Sequence, residues 1–161
     1  MNTLFDIPDS IRRYLDFQGI SYQIIAHARD FSAQRTAHDT FTPGRSFAKT
    51  VIIWIDNYYA MAVIGADRVI DFSMLKDELG VWDAGMATEA EVARLFPDCE
   101  PGAEPPFGAI YGMPVLVSRE LAKEEVITFN GGTHEDCIRM PYADFARVAE
   151  PEVLDFTRKA T

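Results

Sequence analysis

Three short stretches hold residues whose types and spacing fold requirements alone do not explain. Gly44-Arg45-Ser46-Phe47-Ala48-Lys49-Thr50 leads into an apolar run, so Lys49 opens a segment that otherwise reads as buried. A lysine there can simply snorkel or discourage edge pairing. Glu104-Pro105-Pro106-Phe107-Gly108 lies in a long Pro- and Gly-rich segment, where a rigid turn is the plain alternative. Phe129-Asn130-Gly131-Gly132-Thr133-His134 carries paired glycines between apolar runs. They make a hairpin or let a ligand approach the backbone closely. More familiar devices are absent: the chain has no GxSxG elbow, Walker loop, GxGxxG after a strand, or HExxH. His134-Glu135-Asp136-Cys137 invites a metal reading. On a strand, however, His134 and Asp136 would share one face and Glu135 and Cys137 the other, and neither pair resembles a closed zinc site. Cys137 has no evident activating partner, so it reads as a buried structural cysteine rather than a nucleophile.

The elements that must position these stretches follow from periodicity and punctuation. Pro8-Asp9-Ser10 opens a helix with Ile11, Tyr14 and Leu15 at helical spacing, stopped by Gly19. Ile20 to Ala26 reads as a strand, and Ser32 caps a short helix running to about Asp39. After the Thr42-Pro43-Gly44 turn come Ala48 to Ile55 and Tyr58 to Ile64, separated by Asp56-Asn57, which predicts a β-hairpin. Ser73 is the expected cap of a helix ending near Gly80. Thr88 and Glu91 form a capping-box pattern before Val92, Leu95 and Phe96, with Pro97 as the stop. From Pro97 to Pro114 the chain is loop-like, and a loop of that length inside a compact domain is usually functional or disordered. Phe107 and Tyr111 argue against disorder. Strands are expected at Val115–Ser118, Val126–Asn130 and about His134–Met140. A helix with Phe145 and Val148 starts near Pro141, Pro151 breaks or restarts it, and a polar tail follows. Strands outnumber helices and cluster, so the expected fold class is α+β, with one mixed sheet and surrounding helices.

Composition bounds the function. A chain of 161 residues with 48% apolar content suits a single domain, 1–161, with a real core. No run approaches the roughly 18 residues of a membrane span. The opening MNTLFDIPDS lacks a basic region before an apolar one, so no secretory signal is expected. Cys99 and Cys137 fit a reducing, cytoplasmic compartment better than a disulfide framework. The net charge of −10 argues against a general nucleic-acid coat protein, and no DNA partner is expected. The charge is uneven. Residues 1–50 carry six Lys/Arg against five Asp/Glu, and residues 51–161 nine against twenty. Any polyanion contact is therefore expected around Arg12, Arg13, Arg29, Arg35, Arg45 and Lys49, if these are not simply solvated charges.

In this order, the three stretches resemble the YbaK and prolyl-tRNA synthetase-associated editing family, from about His27 to Pro151. Arg45…Ala48-Lys49-Thr50 is similar to its lysine motif, Pro106-Phe107-Gly108 to its substrate loop, and Phe129 to His134 to its Phe-Asn-Ala-Gly-Ser-His pattern. Gly131 and Thr133 depart from the family's usual Ala and Ser. The resemblance implies a free-standing, trans-acting deacylase that hydrolyses the ester of mischarged tRNA carrying a small amino acid. Its partners would be the aminoacyl-tRNA acceptor end and an aminoacyl-tRNA synthetase, and no cofactor or metal is expected. It implies catalytic roles for Lys49, Gly108 and His134, and substrate contacts for Arg45, Phe47, Thr50, Pro106, Phe107, Asn130, Gly131, Gly132 and Thr133. Backbone N–H groups near Gly108 or Gly131-Gly132 would hold the oxyanion, Lys49 a phosphate or the ester carbonyl, and His134 the amine or ribose. Phe47, Phe107 and Tyr111 would be available for base stacking. A non-catalytic tRNA- or nucleotide-binding module of the same fold, or a hydrolase of another small ester, stays open beside this reading.

Overall fold

The computed structural model describes residues 7–160, so the expectation drawn from the first six residues lies outside them. Helix α1 (Asp9–Phe17) buries Ile11 and Leu15 on one face and ends before Gly19, whose φ of 69° reverses the chain. Strand β1 (Gln23–Ala26) is shorter than the apolar run that announces it, because Ile20 drops into the core ahead of the pairing. Ser32 caps α2 (Ala33–Asp39) by accepting the Arg35 N–H. The hairpin forms as expected. β2 (Ala48–Ile55) pairs with β3 (Tyr58–Gly65) along its whole length, and Asp56 takes the positive φ of the tight turn.

β3 explains the centre of the fold. Met61 and Val63 join the larger core cluster, while Ala60, Ala62 and Ile64 join the other, so both faces of this strand are buried. A short β4 (Arg68–Ile70) follows, then α3 (Phe72–Leu79). Its cap is Asp71, whose carboxylate takes the Met74 N–H, rather than the expected Ser73. β5 (Ala84–Met86) leads to α4 (Glu89–Leu95), where the Thr88–Glu91 capping box is fully formed. The Pro-rich segment contains one turn of helix, α5 (Gly108–Tyr111). β6 (Val115–Ser118), β7 (Val126–Asn130) and β8 (Asp136–Pro141) then precede α6 (Tyr142–Ala149). β8 starts two residues after the expected His134, because the Thr133 hydroxyl accepts the N–H groups of Glu135 and Asp136 and holds a turn there.

The expected polar tail is instead two strands, β9 (Glu152–Leu154) and β10 (Thr157–Lys159). Leu154 and the fully buried Phe156 anchor it in the core. The central sheet is mixed, in the order β5-β2-β3-β6-β9, with β3–β6 and β6–β9 parallel. An antiparallel sheet β1-β8-β7 meets it through a single parallel bridge, Phe47 to Thr128, and a ribbon pairs β10 with β4.

Candidate functional site

The cleft lies where β2 has lost a neighbour. On its outer side β5 pairs only with Ile53, Trp54 and Ile55, and the Ala87 N–H closes on the Ile52 carbonyl. The bridge from Phe47 to Thr128 holds the other end of that edge. Lys49, Thr50 and Val51 lie on the open stretch between. The Phe47 carbonyl accepts Ala66 N–H beyond β3, and the Ile52 carbonyl accepts from the opposite side. Thr50 is in phase with Ile52, so antiparallel alternation turns its N–H and C=O out of this open edge. Its Oγ1 is also buried without a hydrogen-bond partner among the described residues. Buried polar groups are rarely left so, and an unpartnered hydroxyl beside a cleft is suited to meet a ligand.

Two adjoining chambers share Phe31, Thr50, Gly102 and His134 in their walls. The smaller, about 180 Å³, adds Lys49, Asn130, and Ser32, Ala33 and Thr36 from α2. The larger, about 410 Å³, adds Ile52, Met86, Ala87, Val92 and Glu104. Lys49 is half-buried, and this desolvation pushes its ammonium below the usual lysine range, while Asp67 pulls the other way. His134 is fixed from two sides. Its backbone N–H donates to Glu100 Oε1 at 2.6 Å, and its Nε2 lies 2.8 Å from the Pro101 carbonyl. A carbonyl only accepts, so Nε2 donates this bond. Phe31 stands at the rim, 73% exposed, its ring 4.7 Å from that of His134 and 5.2 Å from the Arg29 guanidinium. Arg29 in turn bridges Glu100 at 2.8 Å and Glu135 at 3.0 Å.

Of the residues singled out from sequence, the structure brings together Lys49, Thr50, Asn130 and His134. The others lie elsewhere. Phe47 is fully buried in a small cluster with Ala37, Ala66 and Cys137. Arg45 is exposed and pairs with Glu124 at 3.5 Å, facing a different groove. Pro106 is buried and outside both chamber walls, and Phe107 fills the core against Tyr14, Phe129 and Phe145. Gly108 sits under the Met113 carbonyl, which a Cβ would meet at 2.1 Å. The N–H groups of Gly131 and Gly132 are already given to Asp136 O and Ala103 O, so the oxyanion role expected of them is physically closed. A Cβ on Gly132 would strike Pro8, so this pair serves packing against α1. Thr133 is occupied in its turn, its hydroxyl donating to Asp136 at 2.8 Å. Tyr111 packs on Phe96 and bonds Asp98 and Cys99. Among the described residues no group of His, Cys, Asp and Glu could hold a metal ion. Cys137 is buried, and desolvation pushes its thiol up to about 12, which removes the thiolate a nucleophile needs.

Sequence reasoning missed Phe31 and Gly102, and singled out the stretch that opens on Glu104 without giving Glu104 itself a role. Nothing periodic marks Phe31. A charge inside the otherwise apolar Ala103-Glu104-Pro105-Pro106-Phe107 run was the signal available for Glu104. Glu104 is only 3% exposed, and its carboxylate accepts backbone N–H groups of its own loop, that of Gly102 at 2.8 Å from Oε2 and those of Ala103 and Glu104 itself. No cation pairs with it among the described residues, and burial pushes its carboxyl up to about 7.

A family model described as an aminoacyl-tRNA editing domain matches residues 27–148. The chain is 28% identical over 152 residues to the Multifunctional Ser/Thr-tRNA deacylase ProXp-y of Escherichia coli (strain K12), covering 91% of this chain and 90% of that protein. Among solved structures, a proposed trans-editing enzyme for prolyl tRNA synthetase superposes with a TM-score of 0.81 at 18% identity, covering 93% of this chain and 98% of the other. The hypothetical protein APE2540 does so with a TM-score of 0.83 at 16% identity, covering 93% and 100%. Both share the fold.

Proposed function

The chain belongs to the aminoacyl-tRNA editing domain family, and we propose that it acts in trans to hydrolyse the ester of tRNA wrongly charged with a small amino acid. The observation that carries this reading is the two-chambered cleft at the open edge of β2. The smaller chamber, about 180 Å³ and walled by Lys49, Thr50, Thr36 and Asn130, suits a small aminoacyl group. The larger, about 410 Å³ with apolar walls and the exposed Phe31 ring at its rim, suits the terminal adenosine, which aromatics receive by stacking. The ester then falls at the junction, beside Thr50 and His134. On this reading the Thr50 hydroxyl, rather than the paired glycines, receives the oxyanion. Lys49 polarises the carbonyl or holds a neighbouring phosphate. The relatedness to a Ser/Thr-tRNA deacylase supports the substrate class.

The same reading takes residues 1–161 as one editing unit working in the cytoplasm, with the acceptor end of aminoacyl-tRNA as its first partner. A synthetase is the second, by analogy with the trans-editing relative. No helix among the described residues is long and apolar enough to cross a membrane. The test is a deacylation screen over tRNAs charged with alanine, serine, threonine and cysteine. Turnover on at least one, undiminished by a chelator once tRNA folding is controlled for, is the expected result. Binding without turnover anywhere on the panel would instead make the protein a capture module.

A further inference from the structure

The cleft accounts for the aminoacyl end of the substrate but not for the charged RNA behind it, which a net charge of −10 repels at long range. We propose that the groove between Arg45 and Lys159 carries the sugar–phosphate backbone of the tRNA acceptor end as it leaves the cleft. The proposal rests on the deacylase reading above for the kind of partner, and adds where on the surface that partner lies.

The groove, about 350 Å³, collects cations that the sequence keeps far apart. Arg45 comes from the turn before β2 and Arg68 opens β4. Lys123 ends the turn between β6 and β7, and Lys159 closes β10. Three of the four thus come from residues 51–161, the acidic part of the chain.

Three acids also line the groove, and each answers a cation. Glu124 pairs with Arg45 at 3.5 Å and accepts the Ser46 hydroxyl at 2.6 Å. Glu120 pairs with Arg68 at 3.1 Å and accepts the Thr157 hydroxyl at 3.1 Å. Asp67 bears on Lys49. Lys123 and Lys159 are left over, both exposed and without an ion-pair partner among the described residues. The ribbon sharpens this surplus. Arg68 and Lys159 are direct register partners on β4 and β10, and like charges set opposite each other repel. Glu120 answers only the Arg68 side, so a further anion across the ribbon relieves the repulsion.

The groove also starts where the cleft ends. Gly65, in its wall, pairs with Ala48, and the next pair along β2 is Lys49 with Ile64. One strand residue, about 3.3 Å, therefore separates the groove from Lys49. Asp67 spans the join. Its carboxylate lies over Gly65, where a Cβ would meet Oδ1 at 2.7 Å, and it is the acid that bears on Lys49. An RNA strand with its terminal adenosine in the cleft passes Lys49 and enters the groove beside Arg45, where Lys123 and Lys159 meet its phosphates. Such contacts position the RNA without reading its sequence.

The experiment measures binding of a labelled, uncharged proline-accepting tRNA from about 50 to 200 mM salt. Uncharged tRNA keeps the phosphates and takes turnover out of the readout. The proteins are wild type, the double variant Lys123→Ala with Lys159→Ala, and Glu120→Gln. Lys76→Ala on α3 and Asp144→Asn on α6 are controls outside the groove, and melting is measured on each. The double variant should melt like wild type and bind roughly 2- to 30-fold more weakly. Its slope of log affinity against log salt should be shallower by about 1.5 to 2. Glu120→Gln keeps an acceptor for Thr157 and should bind roughly twofold more tightly. Both controls should stay near wild type. A double variant with wild-type affinity and slope overturns the assignment. Changes of equal size in the controls also overturn it, because net charge would then be the cause, and so does a wild type that binds no tRNA. If the double variant melts lower, Lys123→Ala alone decides: a folded single variant with the wild-type slope overturns it. Turnover on charged tRNAs is read separately. Its absence, with these binding differences intact, removes the deacylase reading and leaves the groove standing.

Discussion

The two halves of the Pro97–Pro114 segment do opposite work. Pro101, Gly102 and Glu104 line the cleft. Three residues later Phe107 is wholly buried, its ring 5.5 Å from Phe129 and 6.0 Å from Phe145. Gly108 follows under a carbonyl that leaves no room for a side chain. Pro106-Phe107-Gly108, which resembles the family's substrate loop, is therefore a plug that fixes the loop, and the residues that face the cleft come just before it. A motif can be recognisable because it builds the scaffold of a site rather than the site.

The comparison breaks most visibly at Phe107. Removing a fully buried phenylalanine side chain costs about 3–5 kcal/mol, which for a domain of this size lowers the melting temperature by roughly 6 to 20 °C. Phe107→Ala is expected to show that loss by thermal melting, and below its transition to deacylate within a few-fold of wild type. A variant that melts normally but has lost turnover would put Phe107 in the site and undo the division drawn above.

Lys49 is the counterpart on the cleft side. Losing a charge-assisted contact costs about 1.5–3 kcal/mol, or roughly a 10- to 150-fold loss of activity at 1.4 kcal/mol per tenfold. Lys49→Ala should lose activity on that scale and stay folded, and Lys49→Arg should recover only part, because a guanidinium differs from an ammonium in shape and hydration. Burial already depresses the Lys49 pKa, so relieving it offers no reason for the alanine variant to unfold. Lys76→Ala, on helix α3 away from both chambers, is the unaffected control. Full activity in Lys49→Ala removes the role assigned to it.

The sequence made the scaffold more legible than the site. The β2–β3 hairpin, the Thr88–Glu91 capping box and the Ser32 cap are local events, written in turn residues and helical spacing, and each forms where read. Lys49 was legible because an ammonium at the mouth of an apolar strand is locally incongruous. What was not legible depends on distant pairings. The Gly131 and Gly132 N–H groups look free until the structure gives them to Asp136 and Ala103, and Thr50 looks ordinary until β5 stops short beside it. The terminal strands were missed because a three-residue strand has no periodicity to read, and Phe156 alone hinted at an anchor.

The smallest expected effect tests the hinge between the two halves. Gly102 has a φ of 88°, a conformation that L side chains rarely adopt, yet a Cβ there would meet only His134 Cε1 at 3.5 Å and Nε2 at 3.7 Å. These are ordinary contacts, so a methyl group fits in space and the cost is conformational, about 1–2 kcal/mol. The chain can relieve that strain by rotating the loop, but the Gly102 N–H helps hold the Glu104 carboxylate and the Pro101 carbonyl is what holds His134. Gly102→Ala is therefore expected to lower the melting temperature by roughly 2 to 8 °C, well short of Phe107→Ala, while slowing deacylation by more than that small strain implies. The KM should change less than kcat, because the walls that receive the adenosine and the amino acid remain and only the junction shifts. If Gly102→Ala melts as low as Phe107→Ala, then Pro101 to Glu104 belong to the plug as well. The cleft would then be framed by β2 and the Asn130–His134 turn alone.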